Sequence, residues 1–356
     1  MVKNRIVYIV EYSCKGDVCN LVSCLILAAG NGTRMKVGYP KVLAEVLNVP
    51  MLSWVLDSVE ECGISNKCVV TGYGKEKVEE FLSSSKYCCQ TVFQSERKGT
   101  AHAVMVASDF LNKNLDGDVL ILGGDSPFID SKTINAAYDE HLKFKNSVTI
   151  ISAELDNPFG YGRIIRNCDN DVCSIVEERD AKDSEKKIKE INSGAYWFNV
   201  KDLLNAIGSI NASLSSGELY LTSIVSIFIK NGLKVGAFCA KDCTVAMGAN
   251  TPEQLEILNN IAKSKIINSL ISKGINIPCC DNVLIGKNVE IGSGTTILSN
   301  VVINSCTRIG KNCTIGPEVV LSGENIPDNT VFVNSSNNYA RETNIKTEEI
   351  NYAVRS

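Results

Sequence analysis

Between Leu25 and Lys41 the chain reads LILAAGNGTRMKVGYPK. An apolar run breaks into Gly30-Asn31-Gly32-Thr33 and then presents two cations, Arg34 and Lys41, with Pro40 just before the second. A strand that ends in such a turn brings backbone N–H groups close to a ligand with no side chain in the way. That arrangement suits phosphate, and an arginine just past it can pair with further phosphate oxygens. The spacing belongs to neither common phosphate loop: Met35 stands where a dinucleotide fingerprint needs a third small residue, and the Gly-Lys-Ser/Thr of a P-loop is missing. Alone, the loop reads equally well as a glycine turn between core elements.

Other polar stretches follow strands where an α/β site would be built. They are QSERKGTAHAV from Gln94, GGDSPFI from Gly123, GYGRIIR from Gly160, IVEERDA from Ile175 and INSGAYWF from Ile191. Asp125 follows the apolar run DVLILG, and an acid at the C-terminal end of a buried strand faces the ligand crevice of a doubly wound sheet. Each also has a plainer reading. Asp125 could cap the turn before Pro127, Gly99-Thr100 could be a helix cap, and Glu177 and Asn192 could be ordinary loop residues.

The elements that must hold these residues are legible as apolar runs. Cys24 to Ala28, Cys68 to Gly72, Asp118 to Gly123 and Val148 to Ala153 read as buried strands, and Glu76 to Leu82 as a helix between two of them. Ile6 to Val10 could add a strand ahead of the loop. Thr251-Pro252-Glu253-Gln254 opens a long helix: threonine caps, proline suits the first turn, and Gln254 completes a capping box. Its apolar stripe runs through Leu255, Leu258, Ile261, Ala262, Ile266 and Leu270 to a stop at Gly274. Beyond it Ile285, Ile291, Ile297, Ile303, Ile309, Ile315 and Leu321 recur at a strict interval of six. That is the pattern of a hexapeptide left-handed β-helix, and these seven hexads make just over two coils. So short a stack should pack on the long helix or on other subunits.

The organisation expected is an N-terminal extension (1–22), an α/β domain (23–250), a linker helix (251–275), a short β-helix (276–333) and a polar tail (334–356). With 356 residues, more than one core is the prior. Net charge of −4, a pI near 5.5 and the lack of any basic block argue against a nucleic-acid partner. No 18-residue apolar stretch exists to span a membrane, and Glu11 ends the first apolar run too early for a signal peptide, so a cytoplasmic location is expected. The fifteen cysteines are odd in number and contain no CxxC pair, which reads as small buried hydrophobes in a reducing compartment.

Taken in order, the blocks AAGNGTRM with PK downstream, GTAHAV, GD, GYGRI, VEE-DA, INSG, GELYLT and GAN resemble the sugar-1-phosphate nucleotidyltransferases. The match is nearest to the uridyltransferase half of the bacterial bifunctional N-acetylglucosamine-1-phosphate enzymes. It runs from Ser23 to Leu258 and continues, truncated, into the hexapeptide repeats. The resemblance implies an α/β, Rossmann-like doubly wound mixed sheet of the nucleotide-diphospho-sugar transferase type, then the linker helix and the short left-handed β-helix. It implies UTP and N-acetylglucosamine-1-phosphate as substrates and Mg²⁺ as cofactor. By the same resemblance Leu27, Ala28, Ala29, Gly30, Gln94, Gly99 and Thr100 hold the nucleotide, and Gly162, Glu177 and Asn192 hold the sugar. Asp125 and Asn250 share the metal, and Arg34 and Lys41 act on the triphosphate.

With only His102 and His141 in the chain, a mechanism without histidine fits, since an ionised phosphate nucleophile needs no general base. His102 is expected to pack at its helix start rather than react. Arg97, Gly123 and Ser223 depart from the family pattern, without removing a ligand or phosphate contact. The C-terminus departs most: two coils and no histidine after His141 imply that acetyl transfer is absent. Homo-oligomer formation through the β-helix is a further expectation. Competing readings are a different pair of substrates, such as glucose-1-phosphate or dTTP, and a non-catalytic regulatory subunit with the same domain pair. Survival of Arg34, Lys41, Asp125 and Asn250 favours the enzyme.

Overall fold

The structure is a computed structural model that describes residues 22–35, 38–213 and 216–334. The expected strand at Ile6 to Val10 and all but the first residue of the polar tail lie outside that set. In chain order the strands of the α/β region are β1 (Val22–Ala28), β2 (Glu45–Val46), β3 (Val49–Pro50), β4 (Asn66–Thr71), β5 (Gln90–Phe93) and β6 (Asp118–Gly123). They continue with β7 (Val148–Glu154), β8 (Arg163–Arg166), β9 (Val172–Val176), β10 (Glu190–Asn199) and β11 (Val235–Ala240). The helices are α1 (Met51–Glu61), α2 (Lys75–Ser84), α3 (Thr100–Val106), α4 (Ser108–Asn112), α5 (Ser131–Phe144), α6 (Val200–Ile207), α7 (Ile224–Lys230) and α8 (Pro252–Ser272). Among the described residues no helix is long and apolar enough to cross a membrane.

Two compact units emerge. One comprises the described residues up to Gly30, Asp57–Gly123 and Ile129–Ala246. Its nine-stranded sheet runs β11-β7-β10-β6-β1-β4-β5, with the β8–β9 hairpin joined to β10. The apolar runs at β1, β4 and β6 pair in parallel, as their continuous hydrophobicity requires. β10 lies antiparallel to both β6 and β7 and makes the sheet mixed. Leu25, Val70, Ile121, Ile150 and Phe198 from the sheet pack with Val104, Leu203 and Phe228 from the helices in one core.

The second unit comprises Asn31–Leu56, Gly124–Phe128 and the described residues from Met247 on. α8 runs through it and belongs to two cores. Leu258 and Ala262 pack with Met35, Val46, Leu47, Met51, Phe128 and Ala249. Ile267 and Leu270 pack with the isoleucine column of the repeats. Thr251 accepts a hydrogen bond from the Gln254 N–H at 3.3 Å, which caps the helix as expected. The return bond differs: Gln254 Oε1 accepts from the Asn250 N–H at 2.8 Å, one residue ahead of the cap.

The repeats form three parallel sheets of three short strands each, a β-helix of three coils where just over two were expected. The first coil-to-coil steps are 18 residues, as in Ile285↔Ile303 and Ile297↔Ile315. The later steps shorten to 17, as in Ile309↔Ile326 and Ile315↔Phe332. One missing residue breaks the strict interval after Leu321, which hides the last coil from a count by sixes. Backbone φ is positive at Asn288, Gly294, Asn300, Cys306, Asn312 and Glu318, again every six residues, because each corner turns through the left-handed region. Asparagine and glycine tolerate that conformation, whereas other residues bear a cost of roughly 1 kcal/mol. Cys306→Asn is therefore expected to raise the midpoint of β-helix unfolding, by about 1 kcal/mol in a chemical-denaturation series.

The cysteines do not all behave as buried hydrophobes. Cys24, Cys68 and Cys313 are buried, but Cys88, Cys168, Cys173, Cys239, Cys279 and Cys306 are exposed.

Candidate functional site

The predicted residues fall into two groups, one in each unit. In the sheet unit, β1 delivers Ala28 and Ala29 buried and Gly30 exposed, with the Ala29 carbonyl accepting from the Tyr73 N–H at 3.4 Å. Leu27 lies half-buried at the edge of the core. Gln94 follows β5 and is buried at 3% exposure. Its Nε2 donates to the Gly99 carbonyl at 3.1 Å and lies 3.0 Å from His102 Nδ1. These contacts tie Gln94 to the loop that leads into α3. His102, in the first turn of α3, is half-buried beside Gln94.

The same loop is laced to the GELYLT segment. Leu219 N–H donates to Lys98 O at 2.7 Å, Ala101 N–H to Leu219 O at 2.9 Å, and Leu221 N–H to Thr100 Oγ1 at 3.0 Å. Gly99 sits inside this lacing with φ of +112°, and a Cβ there would stand 2.5 Å from the Leu219 carbonyl oxygen. Gly99→Ala is expected to destabilise this unit by about 2 kcal/mol or more, seen as a lower unfolding midpoint, because both the φ and the backbone contact exclude a methyl group.

Gly162, Glu177 and Asn192 are brought together by the β8–β9 hairpin and β10. The Asn192 N–H donates to the Gly162 carbonyl at 2.9 Å. A Cβ on Gly162 would lie 3.0 Å from Ile175 Cγ2 and 3.4 Å from Glu177 Oε2, so a side chain here would press on the hairpin and rest against that carboxylate. Pairing in β10 shifts register between Asn192 and Ala195, a bulge that re-aims Asn192. Its Nδ2 donates to the Tyr196 hydroxyl at 2.6 Å, and its Oδ1 accepts from the Gly194 N–H at 3.1 Å. Thr222 donates to Glu177 Oε1 at 2.8 Å. Burial raises the Glu177 carboxyl above its ordinary range; the Thr222 bond opposes the rise, and the nearby Asp180 and Glu218 add to it. Glu177, Asp180, Tyr220 and Thr222 line a cleft of about 410 Å³. Tyr196 and Thr222 were not singled out from sequence, since an aromatic in an apolar strand and a threonine after Leu221 look like core and turn.

The second unit holds the predicted cations and metal ligands. Arg34 is the middle residue of the 3₁₀ turn Thr33–Met35 and is exposed. Lys41 opens the next turn after Pro40. Its Nζ donates to Asn250 Oδ1 at 2.8 Å and pairs with Asp125 Oδ2. Two residues, 84 and 209 positions beyond the lysine, thus converge on one ammonium. Asn250 is held from behind by its N–H bond to Gln254. Gly248 lets the strand-end loop approach: a Cβ there would be 2.8 Å from the Asp125 carbonyl oxygen. Among the described residues no ion pair joins Arg34 to this trio.

Such an arrangement can neutralise a clustered anion and hold a hard cation on oxygen donors. Residues 23–244 match the nucleotidyl transfer family profile described as "Nucleotidyl transferase", and residues 288–323 match "Bacterial transferase hexapeptide (six repeats)". The bifunctional protein GlmU of Acetivibrio thermocellus is 40% identical over 311 residues, 87% of this chain and 67% of that protein. GlmU of Caldanaerobacter subterraneus subsp. tengcongensis is 42% identical over 294 residues, covering 82% of this chain and 63% of its own length. The chain thus spans about two thirds of the length of these relatives. A crystal structure of a candidate glucose-1-phosphate thymidylyltransferase from Bacillus anthracis, in complex with a sucrose, superposes with a TM-score of 0.57 at 24% identity. It covers 68% of this chain and 95% of that one, a likeness of fold.

Proposed function

Because this chain belongs to the nucleotidyl transferase family and is a nucleotidyltransferase, we propose that it transfers uridylyl from UTP to N-acetylglucosamine-1-phosphate. A phosphate oxygen of the sugar phosphate attacks the α-phosphorus in line, the bond to the β-phosphate's bridging oxygen breaks, and UDP-N-acetylglucosamine and pyrophosphate result. The observation that carries this reading is the convergence of Lys41, Asp125 and Asn250, which supports handling of clustered phosphate charge.

Charge neutralisation and alignment are the work required. Lys41 stabilises charge near the α-phosphate and Arg34 holds the departing pyrophosphate. Gln94 presents Oε1 to the N3–H of uracil while Gly99 and Thr100 offer main-chain contacts, and the backbone from Leu27 to Gly30 carries base and ribose. Gly162, Glu177 and Asn192 take the sugar, with the Glu177 carboxylate accepting hydroxyl hydrogens and the remaining Asn192 N–H reaching the N-acetyl carbonyl.

The donor set fits Mg²⁺. A carboxylate oxygen of Asp125 and an amide oxygen of Asn250 already share one cation, the Lys41 ammonium, and both are hard donors. Asp125 and Asn250 would hold the metal, which would supply Lewis-acid neutralisation of phosphate charge. No acetyl transfer is expected from the residues of this chain, which has no histidine after His141. Assembly through the β-helix is part of the same proposal.

The test is pyrophosphate release with Mg²⁺ over a panel of sugar-1-phosphates and nucleoside triphosphates. UTP with N-acetylglucosamine-1-phosphate should give the highest kcat/KM; a clear preference for glucose-1-phosphate or dTTP would replace the substrate assignment. Acetylation of glucosamine-1-phosphate from acetyl-CoA by the purified chain would contradict the second half.

A further inference from the structure

Two of the residues assigned to the sugar, Gly162 and Glu177, face each other across the β8–β9 hairpin. Each is followed by a charged residue, one at the start of β8 and one in the turn after β9. Those residues are Arg163 and Glu178, and they meet. Arg163 Nη2 donates to Glu178 Oε2 at 2.7 Å, with the arginine side chain only 1% exposed and the glutamate 18%. The same carboxylate oxygen accepts from the Gly160 N–H at 3.1 Å. Arg163 also donates from Nη1 to the Tyr161 carbonyl and from Nη2 to the Lys186 carbonyl at 3.4 Å. One guanidinium and one carboxylate therefore tie down the Gly160-Tyr161 turn, the end of β9 and the segment after it.

Stability does not account for this pair. Burying an arginine is costly, and its Nε is buried with no hydrogen-bond acceptor. Well-packed apolar residues in place of a buried ion pair are often neutral or stabilising. What the pair does provide is geometry. It fixes the backbone positions of the two residues directly beside it, both on the ligand side. Burial pushes the Glu178 carboxyl up, but the Arg163 and Gly160 hydrogen bonds outweigh it and hold it below the ordinary carboxylate range, which favours the charged form of the clamp.

We propose that Arg163 and Glu178 are a positioning pair that sets the spacing of Gly162 and Glu177, and so the affinity for the sugar phosphate. This rests on the sugar assignment made above. The test uses the full chain and compares wild type with Glu178→Gln, the double variant Arg163→Met/Glu178→Leu, Arg163→Lys, and Glu177→Gln as the contact control. Glu178→Gln should raise KM for the sugar phosphate about fivefold and the double variant about tenfold or more. kcat and KM for the nucleoside triphosphate should stay within about twofold, and the thermal midpoint of the double variant should not fall. Arg163→Lys keeps charge but loses the fork, and should lie between wild type and the double variant.

Parallel rises in both KM values, or a KM rise only where the midpoint also drops, would reduce the pair to a structural role. If Glu177→Gln changes sugar KM and the Arg163 and Glu178 variants do not, the pair has no positioning role while the sugar assignment stands. Should none of the variants, Glu177→Gln included, change KM for any sugar phosphate, the sugar assignment falls and takes this proposal with it.

Discussion

Lys41→Met is expected to lower turnover by about 10²–10³-fold, the usual consequence of removing one preorganised group that stabilises developing charge. The fold should survive, since the Lys41 side chain is part-exposed and its partners Asp125 and Asn250 can be reached by solvent once it is gone. A second readout separates this effect from metal loss. The ammonium occupies the two oxygens that the cation would use, so methionine leaves Asp125 Oδ2 and Asn250 Oδ1 both aimed and uncontested. Affinity for Mn²⁺, titrated without nucleotide, should then be unchanged or tighter in Lys41→Met. Asp125→Asn removes a charged oxygen and should weaken Mn²⁺ binding about tenfold or more as well as turnover. Pyrophosphate release equal to wild type in either variant would remove that residue from the proposed chemistry.

The convergence of these three side chains shows what a sequence can and cannot carry. The types were legible: a cation after a glycine turn, an acid after a buried strand, and an asparagine ahead of a helix cap. That Lys41 bonds both of the others was not, because its partners lie 84 and 209 residues further along the chain. Gln254 illustrates the same limit at short range. Its capping role was readable from spacing, but its side chain reaches the Asn250 N–H rather than that of Thr251, which turns a helix cap into support for a candidate ligand.

Regular patterns were the most legible part. Apolar runs located β1, β4, β6 and β7 to within two residues, and the isoleucine interval located the β-helix. Where the chain departs from regularity the reading faltered. A one-residue deletion after Leu321 concealed the third coil, and the antiparallel course of β10 has no local signature. Arg163 reads in sequence as one of two arginines in GYGRIIR; only the folded hairpin shows that its guanidinium pairs with Glu178, in the turn beyond β9.

Glu177→Gln is expected to raise KM for the sugar phosphate by about 10–100-fold, the loss of hydrogen bonds from sugar hydroxyls to a charged acceptor. The Thr222 hydroxyl can still donate to the glutamine oxygen, so the local packing is kept. Acidity gives this prediction a sign. Burial raises the Glu177 carboxyl in the folded protein, so its protonated form persists to higher pH than in the unfolded chain. The folded state then binds more protons, and the contribution to stability, fully present below the unfolded value, is lost as pH rises through the folded one. Glu177→Gln has no such proton, so the stability of wild type relative to the variant should decline as pH rises across that window. Binding follows the opposite course. The ionised carboxylate is the form that accepts sugar hydroxyls, so wild-type KM for the sugar phosphate should climb as pH falls through the raised value while the variant's stays high. The ratio of the two KM values, measured at each pH so that titration of the substrate's own phosphate cancels, should shrink toward one on the acid side. A ratio that is flat with pH would mean that Glu177 does not contact the sugar in its ionised form.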